Sequence, residues 1–259
     1  MTDDGEPDNI AYDRHVRAGW VRDLTAGGDQ SKAVSRAIDF VARVTALGRA
    51  RRILEIGTGP GDHARKLAGR GYKVVATEVS TALVEYARTE SRRQGRPVAF
   101  LTQDLLELDF PPYFDLILNF CTEAPLALES DERVQAALLK CRDLLRPGGQ
   151  FLFGRSDFRL RIAPEEQAVN TPAGLERHTA RFDPTTRTVT RTITLEPEDL
   201  ERPPVTWVHR ARLYTLPEVE AMLDRASLAI RGLWHRYDPA ATWSGPERPG
   251  RIILAERVR

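Results

Sequence analysis

A short apolar segment that runs directly into a glycine-rich turn is the feature that most constrains the fold. Residues 52–56 read RILEI, and the turn after them is Gly57-Thr58-Gly59-Pro60-Gly61; helical spacing then follows at Ala64, Leu67 and Ala68. This order predicts a strand, a tight turn and a helix, because glycine permits both a sharp reversal and the close approach of a ligand. The N–H groups at the start of such a helix favour an anionic group. The turn therefore predicts an α/β protein that binds a nucleotide or an anion.

Strand and helix patterns alternate from this turn to about residue 154. Further strands are predicted over residues 73–78, 98–101, 114–120 and 150–154, with helices that begin after Ser80 and after Ser130. A short helix over residues 216–226 and two closing strands, about 229–237 and 251–258, complete the pattern. Strands that alternate with helices form a parallel sheet with helices on both faces.

Two regions depart from this alternation. Apolar residues recur at helical spacing from Tyr12 to Leu24 and from Ser31 to Leu47, which predicts an N-terminal helical cap over residues 1–48. Two-residue alternation over 188–195 and 207–214, without helices between, predicts an antiparallel β insertion over residues 170–214. Because the insertion leaves and re-enters one sheet, we expect a single domain over residues 1–259.

The composition excludes several classes of partner. The 38 Lys and Arg residues nearly balance the 37 Asp and Glu residues, and the formal net charge of +1 gives no bulk attraction to nucleic acid or to an anionic membrane. The two cysteines show neither a disulfide framework nor zinc-ligand spacing. No apolar run approaches the roughly 18 residues of a membrane span. We therefore expect a cytoplasmic protein with no bound metal, no nucleic acid and no membrane among its partners.

The spacing within the turn argues against a dinucleotide. The third glycine of the dinucleotide fingerprint would stand at position 62, which Asp62 occupies. Glu55 lies two residues before the first glycine, where its carboxylate would repel a diphosphate and favour a cation.

Acidic residues also follow the next two predicted strands. Glu78 lies at the carboxyl end of the second strand, 21 residues after Gly57, where a carboxylate can accept both hydroxyls of an adenosine ribose. Asp104 follows the third strand and is placed to accept from an exocyclic amine, with Val79 and Leu105 as apolar faces for a purine. One cationic ligand that carries an adenosine meets all of these demands.

These residues resemble the class I S-adenosylmethionine-dependent methyltransferases. The resemblance runs from Tyr12 to the C-terminus, and its specific parts are residues 54–61 (LEIGTGPG), Glu78, Gln103-Asp104, Phe114-Asp115 and residues 145–149 (LRPGG). It implies a Rossmann-like, seven-stranded, mostly parallel sheet whose last strand is antiparallel. It also implies S-adenosyl-L-methionine as the cofactor and S-adenosyl-L-homocysteine as the product.

The resemblance assigns parts of the cofactor to particular residues. Glu78 would bind the ribose, and Asp104 with Leu105 the adenine. The methionine part would lie on the glycine loop, whose glycines are Gly57, Gly59 and Gly61. Asn119, at the end of the fourth strand, would meet the methionine ammonium unless it is a strand-end cap, and Tyr12 would close over the carboxylate unless it only packs in its helix.

The acceptor side is less constrained. Arg212-x-Tyr214, followed by a short helix, resembles the branch that methylates small molecules, in which the insertion helps to cover the substrate. We name His209 and Glu123 as candidate catalytic residues, acting as a base or as substrate contacts, while His63 is expected to touch cofactor or solvent. A cofactor-binding protein without turnover and an RNA or protein methyltransferase stay as alternatives. The edges of the insertion could pair across a homodimer.

Overall fold

The computed structural model describes Asp13, Val16 and residues 31–45, 52–120, 130–154, 167–171, 174–198, 203–242 and 252–258. Two of the candidate site residues, Tyr12 and Glu123, lie outside the described residues, as does most of the first predicted helix. No helix in the described ranges is long and apolar enough to cross a membrane.

The described strands form two sheets. They are β1 (Arg52–Ile56), β2 (Lys73–Glu78), β3 (Ala99–Thr102), β4 (Phe114–Asn119), β5 (Leu145–Gly154), β6 (Gln167–Thr171), β7 (Gly174–Asp183), β8 (Thr188–Pro197), β9 (Val205–Arg212), β10 (Leu228–Trp234) and β11 (Ile252–Arg257). The larger sheet has the order β10-β11-β5-β4-β1-β2-β3. Only β11 runs antiparallel to its neighbours β5 and β10, while β1 pairs in parallel with β2 and β4. The predicted seven-stranded, mostly parallel sheet is confirmed.

The described helices pack on both faces of this sheet. They are α1 (Ser31–Val44), α2 (Asp62–Ala68), α3 (Thr81–Arg93), α4 (Asp131–Leu144) and α5 (Leu216–Arg225). Ser80 and Ser130 cap α3 and α4 by accepting the backbone N–H groups of Leu83 and Arg133, as the sequence predicts. Thr215 and Glu218 form a reciprocal capping box at the start of α5.

The central strands β1 and β4 of the larger sheet are mostly buried and apolar because both of their faces are covered. Phe151 and Phe153 of β5 pack with α4 and α5, whereas Leu152 between them packs on the opposite face with α1 and α2. Consecutive strand residues point to opposite faces, so this alternation places the two core layers on either side of one sheet.

The second sheet is an antiparallel insertion between β5 and α5. Its order is β6-β7-β8-β9, and each neighbouring pair is antiparallel. The sequence patterns located β8 and β9 but not β6 and β7. Along β7, half-buried and exposed positions follow one another without a regular apolar face, so this strand lacks the two-residue alternation that marks β8 and β9.

The insertion is attached to the core at the first turns of α4 and α5. Arg212 donates from Nη1 to Asp131 Oδ2 at 2.6 Å and from Nη2 to Glu218 Oε1 at 2.8 Å, and the Tyr214 hydroxyl donates to Asp131 Oδ1 at 2.8 Å. Helix α4 follows β4, and α5 leads into β10, which runs parallel to β5 because both are antiparallel to β11. Both helices therefore begin at the edge of the sheet where the parallel strands end, and the insertion is held at that edge.

Replacing Asp131 with asparagine is expected to destabilise the fold by about 1 kcal/mol, since the charge-assisted bonds to Arg212 and Tyr214 are lost at a half-exposed site. Urea unfolding measures this change, and hydrogen exchange should show faster exchange in β9. The control is Asp143→Asn, an exposed carboxylate near the other end of α4 that pairs with its neighbour Arg142. Equal effects of the two substitutions would contradict the anchoring role.

Candidate functional site

The glycine loop between β1 and α2 has a backbone that only glycine adopts readily. Gly57, Gly59 and Gly61 have φ angles of 61°, 55° and 81°, all in the left-handed region. A Cβ atom on Gly61 would lie 2.8 Å from Cε1 of Phe100, whereas a Cβ atom on Gly59 would meet no described atom within 4 Å. Gly61 is therefore required by packing, and Gly59 presents open backbone at the carboxyl edge of the sheet.

Glu78, at the end of β2, ties that strand to the glycine loop. Its Oε2 accepts the Gly59 N–H at 3.0 Å, and its Oε1 accepts the N–H groups of Val79 and Ser80 at 2.8 and 3.0 Å. Burial raises the pKa of Glu78, and the three backbone amides oppose this shift. Two carboxylate oxygens offer about four acceptor positions, so the side chain keeps capacity for a further donor.

Asp13 lies next to the candidate site, and the sequence patterns did not single it out. Its Oδ1 accepts the Ser80 hydroxyl at 2.6 Å and the Ala82 N–H at 3.0 Å, at the start of α3. Val16 is buried against Ala82 and Leu83. The described N-terminal residues thus lie beside Glu78, and the only sequence signal for this was the adjacent Tyr12.

Asp104 follows β3 and caps a single 3₁₀ turn over Leu105–Glu107. Its Oδ1 accepts the Leu106 N–H at 2.7 Å, and its Oδ2 lies 3.9 Å from Arg133 Nη2. The Gln103 N–H donates to the Glu78 carbonyl at 3.1 Å, which places Asp104 next to the end of β2. Leu105 packs in the core with α4, so the half-buried Val79 is the more accessible apolar side chain here.

Asn119, at the end of β4, is fully buried. Its Nδ2 donates to the Ile56 carbonyl at 2.8 Å, while its Oδ1 has no hydrogen-bond partner among the described residues. A buried acceptor without a partner is costly, so this oxygen has the capacity to accept a further hydrogen bond.

The buried Glu55 and the partly exposed His63 lie side by side at the glycine loop. Glu55 is 1% exposed and accepts the Thr58 hydroxyl at 2.9 Å, and its Oε1 lies 3.7 Å from His63 Nδ1. The His63 ring stacks on Phe120 with centroids 4.0 Å apart. Burial raises the pKa of Glu55 to about 8 and lowers the pKa of His63 to about 4. Although the distance would allow an ion pair, both groups are therefore neutral near pH 7.

The structure gathers the predicted cofactor residues at one edge of the sheet. The loop glycines, Glu55, Glu78, Val79, Asp104 and Asn119 lie in or directly after β1 to β4, at their carboxyl ends. His209 lies elsewhere, in β9 of the insertion, opposite Arg191 of β8, and its ring stacks with Trp207 at 5.4 Å. In the described part of the chain, no group of three or more His, Cys, Asp or Glu side chains is placed to hold a metal ion.

Sequence comparison matches the same region to a known family. Residues 53–149 match a family described as a methyltransferase domain. An uncharacterized methyltransferase of Geobacillus kaustophilus is 30% identical over 151 residues, which cover 58% of this chain and 63% of that protein. A ubiquinone biosynthesis O-methyltransferase of Alkalilimnicola ehrlichii is 31% identical over 118 residues, 45% and 46% of the two chains. The chain spans less than two thirds of the length of these curated relatives.

Solved structures share the fold over most of the chain. An S-adenosylmethionine-dependent methyltransferase from Clostridium acetobutylicum has a TM-score of 0.74 at 18% identity, covering 91% of this chain and 95% of that one. The methyltransferase CcbJ from Streptomyces caelestis has a TM-score of 0.71 at 18% identity, with 87% and 90% covered. CalS10, an amino pentose methyltransferase from Micromonospora echinaspora, has a TM-score of 0.62 at 20% identity, with 86% and 91% covered. Residues 53–149 therefore form a methyltransferase domain, set in the fold of the class I S-adenosylmethionine-dependent methyltransferases.

Proposed function

We propose that this chain is an S-adenosylmethionine-dependent methyltransferase that transfers a methyl group to N or O of a small organic molecule. The observation that carries the proposal is the buried Glu78 carboxylate, which is joined to Gly59 of the glycine loop at 3.0 Å within the matched methyltransferase domain. A carboxylate in this position can accept the ribose hydroxyls of the cofactor.

Two further observations support the fit of S-adenosylmethionine and its product S-adenosylhomocysteine. Asn119 Oδ1 lacks a partner among the described residues and would accept from the methionine ammonium. The open backbone at Gly59 would accommodate the methionine part. Asp104, with Val79 and Leu105, would hold the adenine. We also propose that Tyr12, which lies outside the described residues, closes over the methionine carboxylate.

When bound, the cofactor would supply a methyl carbon on a cationic sulfur, which a nucleophile displaces in line. The residues of the chain would then act mainly by positioning and by excluding water. We propose that the insertion covers the acceptor, since Arg212 and Tyr214 hold it at the carboxyl edge of the sheet. His209 and Glu123 remain our candidates for a base or an acceptor contact, and a hydroxyl acceptor would need such a base more than an unprotonated amine.

A small acceptor in a biosynthetic pathway is supported by the charge balance and by the relatives. The near-neutral chain has no bulk attraction for nucleic acid, and the compared proteins include an amino pentose methyltransferase and a ubiquinone biosynthesis O-methyltransferase. We further propose a cytoplasmic location. A homodimer could pair through β6 or β9, the edge strands of the insertion.

Calorimetric titration with S-adenosylmethionine and S-adenosylhomocysteine tests the proposal. We expect both to bind in the micromolar to low-millimolar range. Absence of binding would contradict the methyltransferase function. A panel of small amines and hydroxyl compounds, tested with methyl-labelled cofactor, then identifies the acceptor. Methyl transfer to RNA or protein, but to no small molecule, would favour an RNA or protein methyltransferase. Cofactor binding without any methyl transfer would favour a protein that binds the cofactor but does not methylate.

A further inference from the structure

Two buried carboxyl groups lie next to the glycine loop, and they differ in how well they are hydrogen-bonded. Glu78 receives three backbone N–H groups. Glu55 is more deeply buried, yet within the described ranges its hydrogen-bond donors are the Thr58 hydroxyl and the Ala64 backbone N–H. A buried carboxylate with few donors favours its protonated form, because nothing replaces the water that it has lost.

The groups around Glu55 do not compensate a negative charge. On α2, Arg65 forms an ion pair with Asp62 and so brings no net charge. The titratable group at the carboxyl end of β2 is Glu78, on which Asp13 acts as a like charge, and both are acids. At the end of β4 lie Asn119 and Phe120, which carry no charge.

His63 is the titratable side chain in closest reach of Glu55, at 3.7 Å, and it is held uncharged. Its ring stacks on Phe120, with an interplanar angle of 10°, and its side chain is only 25% exposed. An apolar stacking partner and low exposure disfavour the imidazolium, so burial lowers the pKa of His63 to about 4. Near pH 7 the proton is therefore on Glu55, His63 is neutral, and the two side chains do not form an ion pair.

We propose that Glu55, with His63 as its neutral neighbour, makes the site distinguish the cationic cofactor from its uncharged thioether product. Glu55 holds its proton when the site is empty or contains S-adenosylhomocysteine, and it loses the proton to solvent when S-adenosylmethionine binds. The inference rests on the proposed function and deepens it, because it names the residues that favour substrate over product.

The physical basis is the one charge by which the two ligands differ, which is the positive charge on sulfur. A cation near a buried carboxyl group stabilises the ionised form and lowers its pKa. The loss of the proton from Glu55 has a cost near pH 7, and the attraction to the cation offsets it. We expect the ionised Glu55 to favour S-adenosylmethionine over S-adenosylhomocysteine by about tenfold.

Calorimetry in buffers of different ionisation enthalpy counts the protons released on binding. At pH 7 we expect wild-type protein to release about one proton more with S-adenosylmethionine than with S-adenosylhomocysteine. In Glu55→Gln this difference should vanish, and the affinity for S-adenosylmethionine should fall about tenfold while that for S-adenosylhomocysteine changes less than about twofold. Glu107→Gln, which removes an exposed carboxylate from the 3₁₀ turn after β3 and does not touch the groups that act on Glu55, is the control and should keep the proton difference.

The outcomes separate the two proposals. Equal proton release with the two ligands, or equal weakening of both by Glu55→Gln, would overturn the role of Glu55 and leave the methyltransferase function in place. Failure of the wild-type protein to bind either ligand would instead contradict the methyltransferase function itself.

A second measurement on the wild-type protein does not depend on the folding of a variant. The ratio of the two affinities, measured from pH 6 to 10, should rise in favour of S-adenosylmethionine through about pH 8, where half of the unliganded Glu55 is ionised, and level off above about pH 9. A ratio that does not change with pH would overturn the proposal. His63→Phe keeps the stack on Phe120 but removes the ring nitrogens, and we expect the levelling to move to higher pH. An unchanged profile would remove His63 from the proposal.

Discussion

Replacing Glu78 with glutamine is expected to weaken the binding of S-adenosylmethionine and S-adenosylhomocysteine alike, by about a hundredfold, or about 3 kcal/mol. The carboxylate has two functions that an amide cannot both fulfil. It accepts backbone N–H groups from Gly59, Val79 and Ser80, and it would accept the ribose hydroxyls. The amide has one acceptor oxygen, and its NH₂ group would face backbone N–H donors. Calorimetry with both ligands measures the loss.

Glu107→Gln is the matched control, because Glu107 is an exposed carboxylate in the 3₁₀ turn after β3, on the adenosine side of the site. We expect it to leave both affinities within about twofold of wild type, as is usual for surface substitutions. The ribose is common to both ligands, so an effect of Glu78→Gln on only one of them would contradict the assignment. This symmetry also separates Glu78 from Glu55, whose substitution should affect mainly the cationic ligand.

Two alanine substitutions in the glycine loop are expected to impair different properties. Gly61→Ala should lower the stability of the fold, and Gly59→Ala should weaken cofactor binding. Gly61→Ala should destabilise the fold by about 3 kcal/mol, since a Cβ atom would lie 2.8 Å from the Phe100 ring at a φ of 81°. Gly59→Ala has a positive φ but no described atom within 4 Å, so it should cost only about 1 kcal/mol. Its Cβ would instead occupy the face of the loop where the methionine part is proposed to lie, and cofactor binding should fall at least tenfold.

Gly95→Ala provides the reference for both substitutions. Gly95 follows α3 with a φ of 60°, and a Cβ atom there would meet no described atom within 4 Å. It therefore measures the cost of the backbone conformation alone. The free energy of unfolding in urea should be clearly lower for Gly61→Ala than for the other two variants. Calorimetry should show weakened cofactor binding for Gly59→Ala but not for Gly95→Ala. If Gly59→Ala binds the cofactor as wild type does, the ligand does not lie against this part of the loop.

The cofactor side of the site could be predicted because it depends on local sequence and on one rule of topology. Strand-turn-helix patterns place Gly59, Glu78, Asp104 and Asn119 at or after strand ends, and parallel strands bring their carboxyl ends to one edge. The structure places all four residues there. Asp13 could not be found in this way, because its bonds to Ser80 and Ala82 join segments 67 and 69 residues apart.

The acceptor side could be predicted only in outline. The two-residue alternation of β8 and β9 indicated an insertion, but β6 and β7 were missed. His209 was chosen for its residue type and its strand, and the structure shows it stacked on Trp207 within the insertion. Substrate contacts in such a segment depend on how the insertion is held against the core by Arg212 and Tyr214, which spacing along the chain does not reveal.

The sequence by itself determined the fold class, the order of strands and helices up to residue 154, and the identity of the residues at the carboxyl edge. These follow from apolar periodicity, glycine conformations and helix caps, which act over a few residues. Only the tertiary structure decided the raised pKa of Glu55 and the lowered pKa of His63, and it also showed Phe120 as the stacking partner of His63. The same holds for the buried oxygen of Asn119, which has no hydrogen-bond partner in the part of the chain that the structure describes. The physical reason is that burial and the supply of hydrogen-bond donors depend on which distant segments exclude water from a group.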